Sequence, residues 1–347
     1  MHANAGKTVD EHPRYLVLLL TEACNLRCVY CYRGDQRCAQ SMPREVAEKA
    51  LHLVSSSCGR FHVQMTGGEP TLEPELVEWI ASLIRKKGWP ATIGIQTNGT
   101  MLDTSLIRIF KQYSIQVGLS LDGPPEVQEE IRGEALSTFR GLKLLSDKEV
   151  PFRVTTVVTE QNVHALGRLG LLLGAFSTLR GIALDLLVAK GRSLEARVTH
   201  PTFQDLTGGL QRLFRALRWV NEKRSHPVKL RELELLKQAA AGKGKTSFCH
   251  AALGEAMAVL PDGSVYPCAQ TAGDPRFACG TLEAVERKNA ARLAAYRLQG
   301  ADCTKCRIRS FCPGDCPSRL YYNDEDAKNL ACVMYQALWE EYERSQK

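Results

Sequence analysis

Short apolar runs of β-strand length alternate, in the first half of the chain, with segments whose apolar residues recur at helical spacing. One helical segment carries Val46, Ala50, Leu53 and Val54 on a single face. Six successive strand and helix units predict a parallel sheet with right-handed crossovers, either curled into an open barrel or doubly wound. The strand-like runs are Tyr15 to Leu20, His62 to Thr66, Ala91 to Gln96, Ile115 to Leu121, Phe152 to Val158 and Gly181 to Val188.

The pattern changes in the second half. A long helical pattern from Phe203 to about Glu222 is followed by a basic stretch, and cysteines and turn signals dominate from Cys249 onward. We therefore predict four regions. They are an N-terminal tail (1–14), a barrel-like domain (15–222), a basic linker or bridging segment (223–248) and a small cysteine-rich α+β domain with a C-terminal helix (249–347).

The basic stretch holds five of the chain's seven net positive charges, because seven cations lie there against Glu232 and Glu234. Two interpretations stay open, a solvated linker and a binding surface for an acidic partner. The cations are Lys223, Arg224, Lys229, Arg231, Lys237, Lys243 and Lys245.

Composition narrows the class of protein. The 347 residues are 44% hydrophobic and 24% charged, which is typical of a globular chain. Apolar runs fall short of the ~18 residues of a membrane helix, and the N-terminus has no secretion signal. We therefore expect a cytoplasmic protein without membrane contact, in which 13 cysteines favour metal ligation or catalysis over disulfides. A net charge of +7 is too small to indicate nucleic-acid binding.

Three cysteines follow the first predicted strand at C-x3-C-x2-C spacing: Cys24, Cys28 and Cys31. Three thiolates on one short loop can bind three irons of a 4Fe–4S cluster and leave the fourth iron open to another ligand. A zinc site with Cys38 as fourth ligand is the alternative interpretation.

Glycine-rich or polar motifs follow the next strands. They are Thr66-Gly67-Gly68-Glu69-Pro70, Gln96-Thr97-Asn98-Gly99, Ser120-Leu121-Asp122-Gly123 and residues 159–162. Each could be an ordinary turn. Together they occupy the carboxyl ends of parallel strands, which is where barrel enzymes place their active sites.

These motifs resemble those of radical S-adenosylmethionine (radical SAM) enzymes across roughly residues 15–190. The resemblance implies that the three cysteines hold a 4Fe–4S cluster whose open iron binds S-adenosylmethionine. It further implies that an external donor of flavodoxin or ferredoxin type reduces the cluster, and that a 5′-deoxyadenosyl radical then abstracts a substrate hydrogen. The implied cofactor contacts are Tyr30 to the adenine, Gly67, Gly68 and Glu69 to the methionyl amine, Ser120 to the ribose and Arg132 to the carboxylate, with Thr97, Asn98 and Asp122 nearby.

The C-terminal cysteines resemble a SPASM domain, which carries two auxiliary 4Fe–4S clusters and would bring the total to three. By that resemblance one cluster is held by Cys303, Cys306, Cys312 and Cys332, and the other by Cys249, Cys268 and Cys316. For the second cluster, Glu255 stands where some relatives place a fourth cysteine, so either Cys279 completes it or one iron stays open. Paired zinc ribbons are the alternative, because thiolate spacing does not distinguish zinc from iron.

SPASM enzymes mostly modify peptides, so we expect a maturase that forms thioether or carbon–carbon crosslinks. Formylglycine formation is disfavoured, because Ala269 replaces the aspartate base of anaerobic sulfatase-maturating enzymes and no other catalytic residue is assigned. Tetrapyrrole modification and a non-catalytic iron–sulfur or zinc protein are further alternatives.

With 14 residues before the first strand there is no room for a winged-helix leader-binding domain at that end. We therefore expect a separate recognition protein, or recognition by the barrel and basic stretch. Cys38 and Cys58 are predicted to be structural.

Overall fold

A computed structural model describes residues 13–34, 39–56, 59–195, 198–242, 247–298 and 301–346. Four residues of the sequence analysis lie outside these ranges: Cys38, Cys58, Lys243 and Lys245.

Six parallel strands form the body of the fold and lie side by side in chain order. Every predicted strand is present, with ends within two residues of the expected ones. Adjacent strands are joined by crossovers, as the predicted α/β partial barrel requires. The strands are β1 (Tyr15–Leu19), β2 (Phe61–Thr66), β3 (Ala91–Thr97), β4 (Gln116–Ser120), β5 (Phe152–Val158) and β6 (Leu179–Leu186).

Amphipathic helices cover the outer face of these strands. In the first of them the buried residues are Ala47, Ala50, Leu51 and Val54, whereas Leu53 is 38% exposed, so the predicted apolar face was rotated by part of a turn. The helices are α1 (Arg44–Ser55), α2 (Pro74–Lys86), α3 (Thr104–Gln112), α4 (Pro125–Ile131), α5 (Ala135–Asp147), α6 (Leu166–Leu173) and α7 (Phe203–Asn221).

Further strands extend the sheet at both of its edges, beside β6 and beside β1. β7 (Lys229–Leu230) pairs with β6, and β8 (Ala256–Val259) pairs in parallel with β1. β9 (Val265–Tyr266) is antiparallel to β8, which gives nine strands in one sheet. The cysteine-rich region is therefore joined to the barrel by backbone hydrogen bonds.

Short helices and one long helix complete the cysteine-rich region. The long helix α12 (Leu330–Ser345) packs against α7 and α8. The other elements are α8 (Arg231–Ala240), α9 (Ala290–Ala294), α10 (Pro317–Tyr322), α11 (Glu325–Lys328) and a hairpin of β10 (Gly280–Thr281) and β11 (Ala284–Val285). Within the described ranges, no helix is both long enough and apolar enough to cross a membrane.

The basic stretch is folded, and several of its cations have internal partners. Arg224 donates to the carbonyls of Gly174 and Leu179 at 3.1 and 3.0 Å. Arg231 donates to the buried carboxylate of Glu232 at 2.7 Å. Lys237 pairs with Glu234 at 2.9 Å. Three cations of the basic stretch therefore have roles in the fold. A cation that is already bound inside the protein is less available to bind a partner.

Candidate active site at the carboxyl ends of the strands

The C-x3-C-x2-C loop leaves β1 at the carboxyl edge of the sheet. Cys28 is buried, Cys31 is half-buried and Cys24 is exposed. The backbone N–H of Leu26 lies 3.5 Å from Cys24 Sγ. Partial burial, with smaller contributions from the nearby Glu69, Cys28 and Cys31, raises the pKa of the Cys24 thiol to about 11, and the backbone N–H of Leu26 opposes this rise. The three thiols therefore lie within electrostatic reach of one another, with a backbone donor directed at sulfur.

The two glycines after β2 allow this loop to pack tightly against the chain that leaves β1. Gly67 has φ of 151°, and a Cβ there would lie 2.4 Å from the carbonyl oxygen of Thr21. A Cβ on Gly68 would lie 2.0 Å from the carbonyl oxygen of Ala23. Only glycine fits either position. The motif thus holds Glu69 next to the cysteine loop.

Glu69 is 1% exposed and is held by four hydrogen bonds. Its Oε1 accepts from the backbone N–H and hydroxyl of Thr71 and from the hydroxyl of Thr97, while Oε2 accepts from the backbone N–H of Asn98. Burial raises the pKa of this carboxyl, and the four donors oppose that rise. Thr97 and Asn98 therefore position Glu69. Asn98 also donates to Asn25 of the cysteine loop at 2.9 Å.

Asp122, at the end of β4, joins three other elements of the site. It is fully buried and accepts hydrogen bonds from the Tyr30 hydroxyl, from Arg132 Nε at 2.6 Å and from the backbone N–H of Val157 at 2.8 Å. The Arg132 guanidinium lies over the Tyr30 ring at 5.3 Å, and its Nη1 is 3.9 Å from Cys28 Sγ. Arg132 therefore faces the cysteine loop while Asp122 balances its charge.

A row of polar side chains crosses the inner face of the sheet below these motifs. Gln96 donates to Ser120 Oγ at 2.9 Å and accepts from Thr155 at 3.5 Å. Tyr15 donates to Gln64 at 3.3 Å. The sequence analysis did not single out Gln64 or Thr155, although both occupy alternate, half-buried positions of predicted strands, and that alternation was the available signal.

Four of the C-terminal cysteines form what we call the loop set: Cys303, Cys306, Cys312 and Cys332. Burial, together with the other three thiols of the set, raises the pKa of Cys332, on α12, to about 12. The loop is fixed to α12 by Phe311, whose ring lies 4.7 Å from that of Trp339. The backbone N–H of Gly314 lies 3.5 Å from Cys312 Sγ.

Three more cysteines form the junction set: Cys249, Cys268 and Cys316. Each stands at the N-cap of a helical turn, and Cys316 Sγ lies 2.9 Å from the hydroxyl of Ser318. Burial, together with the nearby Cys316, raises the pKa of Cys249 to about 12. Cys268 also lies near enough to Tyr32 to raise the pKa of that phenol. The junction set therefore adjoins the cysteine loop of β1.

A buried arginine organises the junction set. Arg319 is 1% exposed and donates to Asp315, which precedes Cys316, and to Asp185 of β6. Its guanidinium lies 4.8 Å from the ring of Phe248, which precedes Cys249. One side chain thus joins two cysteine segments that are distant in sequence and ties both to the barrel. Asp185 and Arg319 were missed by the sequence analysis, because strand-end motifs were sought only after the first five strands.

Cys279 packs in a different apolar cluster from Cys249 and Cys268, which favours the alternative in which one iron of the second cluster stays open. Its backbone N–H donates to the carbonyl of Val265 at 2.8 Å, and both side chains lie in the main core. Tyr266 and Cys268 lie in a separate apolar cluster. Val265 and Tyr266 face opposite sides of β9. Cys279 packs in the cluster on the Val265 side, whereas Cys268 packs against the cluster on the Tyr266 side.

These three sets of thiols fit iron–sulfur clusters. Among the described residues, no three potential ligands converge as they would on a single metal ion. Cysteines of a 4Fe–4S cluster each bind a different iron, so wider spacing is expected of them. Backbone N–H groups directed at sulfur are the outer contacts that such clusters need.

The fold and site define the class: a parallel-barrel enzyme with a three-cysteine loop at the carboxyl ends of its strands. Residues 18–169 match the family model described as the radical SAM superfamily. The region 18–169 is therefore a radical SAM domain, and the chain that carries it is an enzyme.

Known proteins extend this similarity over nearly the whole chain. The cysteine-type anaerobic sulfatase-maturating enzyme of Clostridium perfringens (strain 13) is 28% identical over 94% of this chain and 95% of its own. The solved structure of anSMEcpe with bound AdoMet is 25% identical, covers 95% of this chain and 97% of its own, and superposes with a TM-score of 0.75. The subtilosin biosynthesis protein AlbA of Bacillus subtilis is 29% identical over 46% of this chain and 36% of its own.

Proposed function

We propose that this radical SAM enzyme modifies a peptide or small protein and carries two auxiliary 4Fe–4S clusters beside the radical cluster. The observation that carries the proposal is the position of the junction set. Arg319 fixes it to β6. Lys190 donates to the carbonyls of Gln270 and Ala272, just after Cys268, and the next residue, Gly191, packs against the carbonyl of Cys31. The reacting centre would therefore lie between the cysteine loop and a second cluster.

The chain's own residues would bind and orient the cofactor. Cys24, Cys28 and Cys31 would hold the radical cluster, which, once reduced, supplies the one-electron cleavage of S-adenosylmethionine to a carbon radical. Glu69 would accept from the methionyl amine through Oε2, which accepts a single hydrogen bond here. Ser120 would face the ribose, and Arg132 would meet the carboxylate beside Cys28. The other proposed contacts are Tyr30, Gly67, Gly68, Thr97, Asn98 and Asp122.

The relatives suggest the substrate class. One is named as a sulfatase-maturating enzyme and another as a bacteriocin biosynthesis protein, and both names point to a polypeptide substrate. Ala269, the residue after Cys268, carries no ionisable group. We therefore favour a thioether or carbon–carbon crosslink, with an external one-electron donor and a separate recognition protein as partners. Formylglycine formation is the second candidate, favoured by the similarity over 94% of the chain.

The radical cluster is tested by replacing its three cysteines together with Ala. Each 4Fe–4S cluster holds four irons, so anaerobically reconstituted wild-type protein should contain about 12 irons and the triple variant about one third fewer. Formation of 5′-deoxyadenosine under dithionite should disappear. Cys279→Ala is the matched control and should match wild type in both measurements. Persistent 5′-deoxyadenosine formation by the triple variant would overturn the proposal.

The two candidate reactions differ in the mass of the modified peptide. A crosslink removes hydrogen and keeps sulfur, whereas conversion of Cys to formylglycine removes the sulfur. Mass spectrometry of peptides encoded beside the gene, after incubation with the reduced enzyme and S-adenosylmethionine, separates them. Loss of sulfur with formation of an aldehyde would refute the crosslinking assignment.

A further inference from the structure

A groove of about 600 Å³ opens between the cysteine loop, the segment after β6 and the segment after Cys268. Tyr32 and Lys190 line it, and Gly191 packs so closely against the cysteine loop that a Cβ would lie 2.5 Å from the carbonyl oxygen of Cys31. On the other side the lining includes Ala272 and Asp274. The groove therefore adjoins both the radical SAM loop and the junction set.

Three cations and two carboxylates line this groove, and the carboxylates are already paired. Arg33 donates to Glu22 at 3.0 Å. Arg276 donates to both oxygens of Asp274 at 2.9 and 2.8 Å, and the hydroxyl of Tyr322 donates to the same carboxylate at 2.8 Å. Among the cations that line the groove, Lys190 is therefore the one left without a carboxylate of the described residues within salt-bridge distance.

Lys190 has partners but no counter-ion among the described residues. Its Nζ donates to the carbonyls of Gln270 at 2.7 Å and Ala272 at 2.9 Å, and it lies 5.2 Å from the centre of the Tyr322 ring. An ammonium has three N–H donors, so one remains for a ligand. A half-buried cation without a carboxylate partner is costly to keep in a fold, and such groups are concentrated at functional sites.

We propose that Lys190 binds a carboxylate of the substrate peptide in this groove. This inference rests on the proposed function and narrows the substrate to peptides that present an acidic side chain or a free C-terminus beside the modified residue. The two carbonyl contacts already hold the Lys190 side chain in place, so its binding to a carboxylate costs little side-chain entropy. A charge-assisted hydrogen bond of this kind corresponds to a change in affinity of about tenfold.

The test measures binding of three rhodamine-labelled Gly/Ser/Ala decapeptides to the reconstituted full chain with S-adenosylmethionine, by fluorescence anisotropy at low salt. The first has a central Asp-Glu and an amidated C-terminus, the second replaces Asp-Glu by Asn-Gln, and the third adds a free C-terminus to the second. We expect the first or the third to bind about tenfold more tightly than the second. Whichever does so identifies the source of the carboxylate.

Lys190→Gln should abolish that preference, because the amide can still donate to carbonyls but carries no charge, and Lys190→Arg should keep most of it. Lys87→Gln, at the exposed end of α2, is the matched control and should bind like wild type.

Leu194 lines the groove and is 69% exposed. Leu194→Glu should therefore weaken the acidic peptide several-fold by charge repulsion while Leu194→Gln does not, and this pair leaves Lys190 and its loop intact.

Equal binding of all three peptides by wild type, or an unchanged preference in Lys190→Gln, would overturn the inference. The proposed function is judged separately, by 5′-deoxyadenosine formation in the absence of peptide. Lys87→Gln should match wild type in that reaction and in iron content.

Discussion

The loop set and the junction set contain the same chemistry but are assembled differently. The loop set takes three of its four thiols from residues 303–312 and the last from α12, and its thiols are half-buried. The junction set draws its three thiols from residues 249 to 316, across β8 and β9, and is tied to the barrel through Arg319. One set depends on a local loop, whereas the other depends on the joining of two parts of the protein.

Two arginines display the difference in energetic terms. Arg319 is buried, and its charge is balanced by Asp315 and Asp185. Arg307, which follows Cys306 of the loop set, pairs with Glu343 at 3.1 Å, and both side chains are about half exposed. Removing one member of a buried pair leaves an uncompensated charge, whereas an exposed pair contributes little. The junction set should therefore tolerate substitutions of its supporting residues less well than the loop set.

The largest effect is expected from Arg319→Met, which leaves two carboxylates without their cation. The free energy of unfolding should fall by about 3–5 kcal/mol, and the junction set should lose its iron while the loop set keeps its own. Denaturant unfolding and iron analysis measure the two effects. Arg108→Met, at an exposed position of α3, is the control. Normal iron content in Arg319→Met would show that the junction set assembles without this arginine.

The next effect is expected from single cysteine replacements, one in each set. Cys316→Ala leaves two junction thiols and should remove about four of about 12 irons. Cys332→Ala leaves three thiols on one loop, so its loss of iron should be smaller. Iron analysis after anaerobic reconstitution compares them, and equal losses would mean that the two sets do not differ in tolerance.

A smaller effect is expected from Cys279→Ala, which tests the membership of the junction set. The substitution removes one buried atom and should lower the free energy of unfolding by about 1 kcal/mol. Electron paramagnetic resonance spectra of the reduced clusters should be unchanged. A shifted signal or a loss of iron would return Cys279 to the junction set.

The smallest effect is expected from Arg307→Gln. Breaking an exposed ion pair should change the free energy of unfolding by less than about 1 kcal/mol and leave the iron content intact. Raising the ionic strength should reduce even this difference, because salt screens exposed charges. A loss of stability comparable with that of Arg319→Met would erase the distinction between the two sets.

Much of the barrel was predictable from sequence because its strands are short runs, either mostly apolar or alternating between apolar and polar residues, that are bounded by turns. Periodicity placed each of the six strands within two residues of its observed ends. The local spacing of Cys24, Cys28 and Cys31 and of Cys303, Cys306 and Cys312 was equally visible, since residues a few positions apart on a loop must be close in space. The sequence by itself thus determined the class of fold, the radical SAM loop and most of the loop set.

Tertiary structure decided what depends on residues distant in the chain. The cluster in which Cys279 packs and the contact of Arg319 with Asp185 arise only when β8 pairs with β1 and the two halves join. Composition could count the charges of the basic stretch but not pair them. Only packing fixes which cations are paired with a carboxylate. In the groove, Arg33 pairs with Glu22 and Arg276 with Asp274, so that Lys190 has no carboxylate within salt-bridge distance among the described residues.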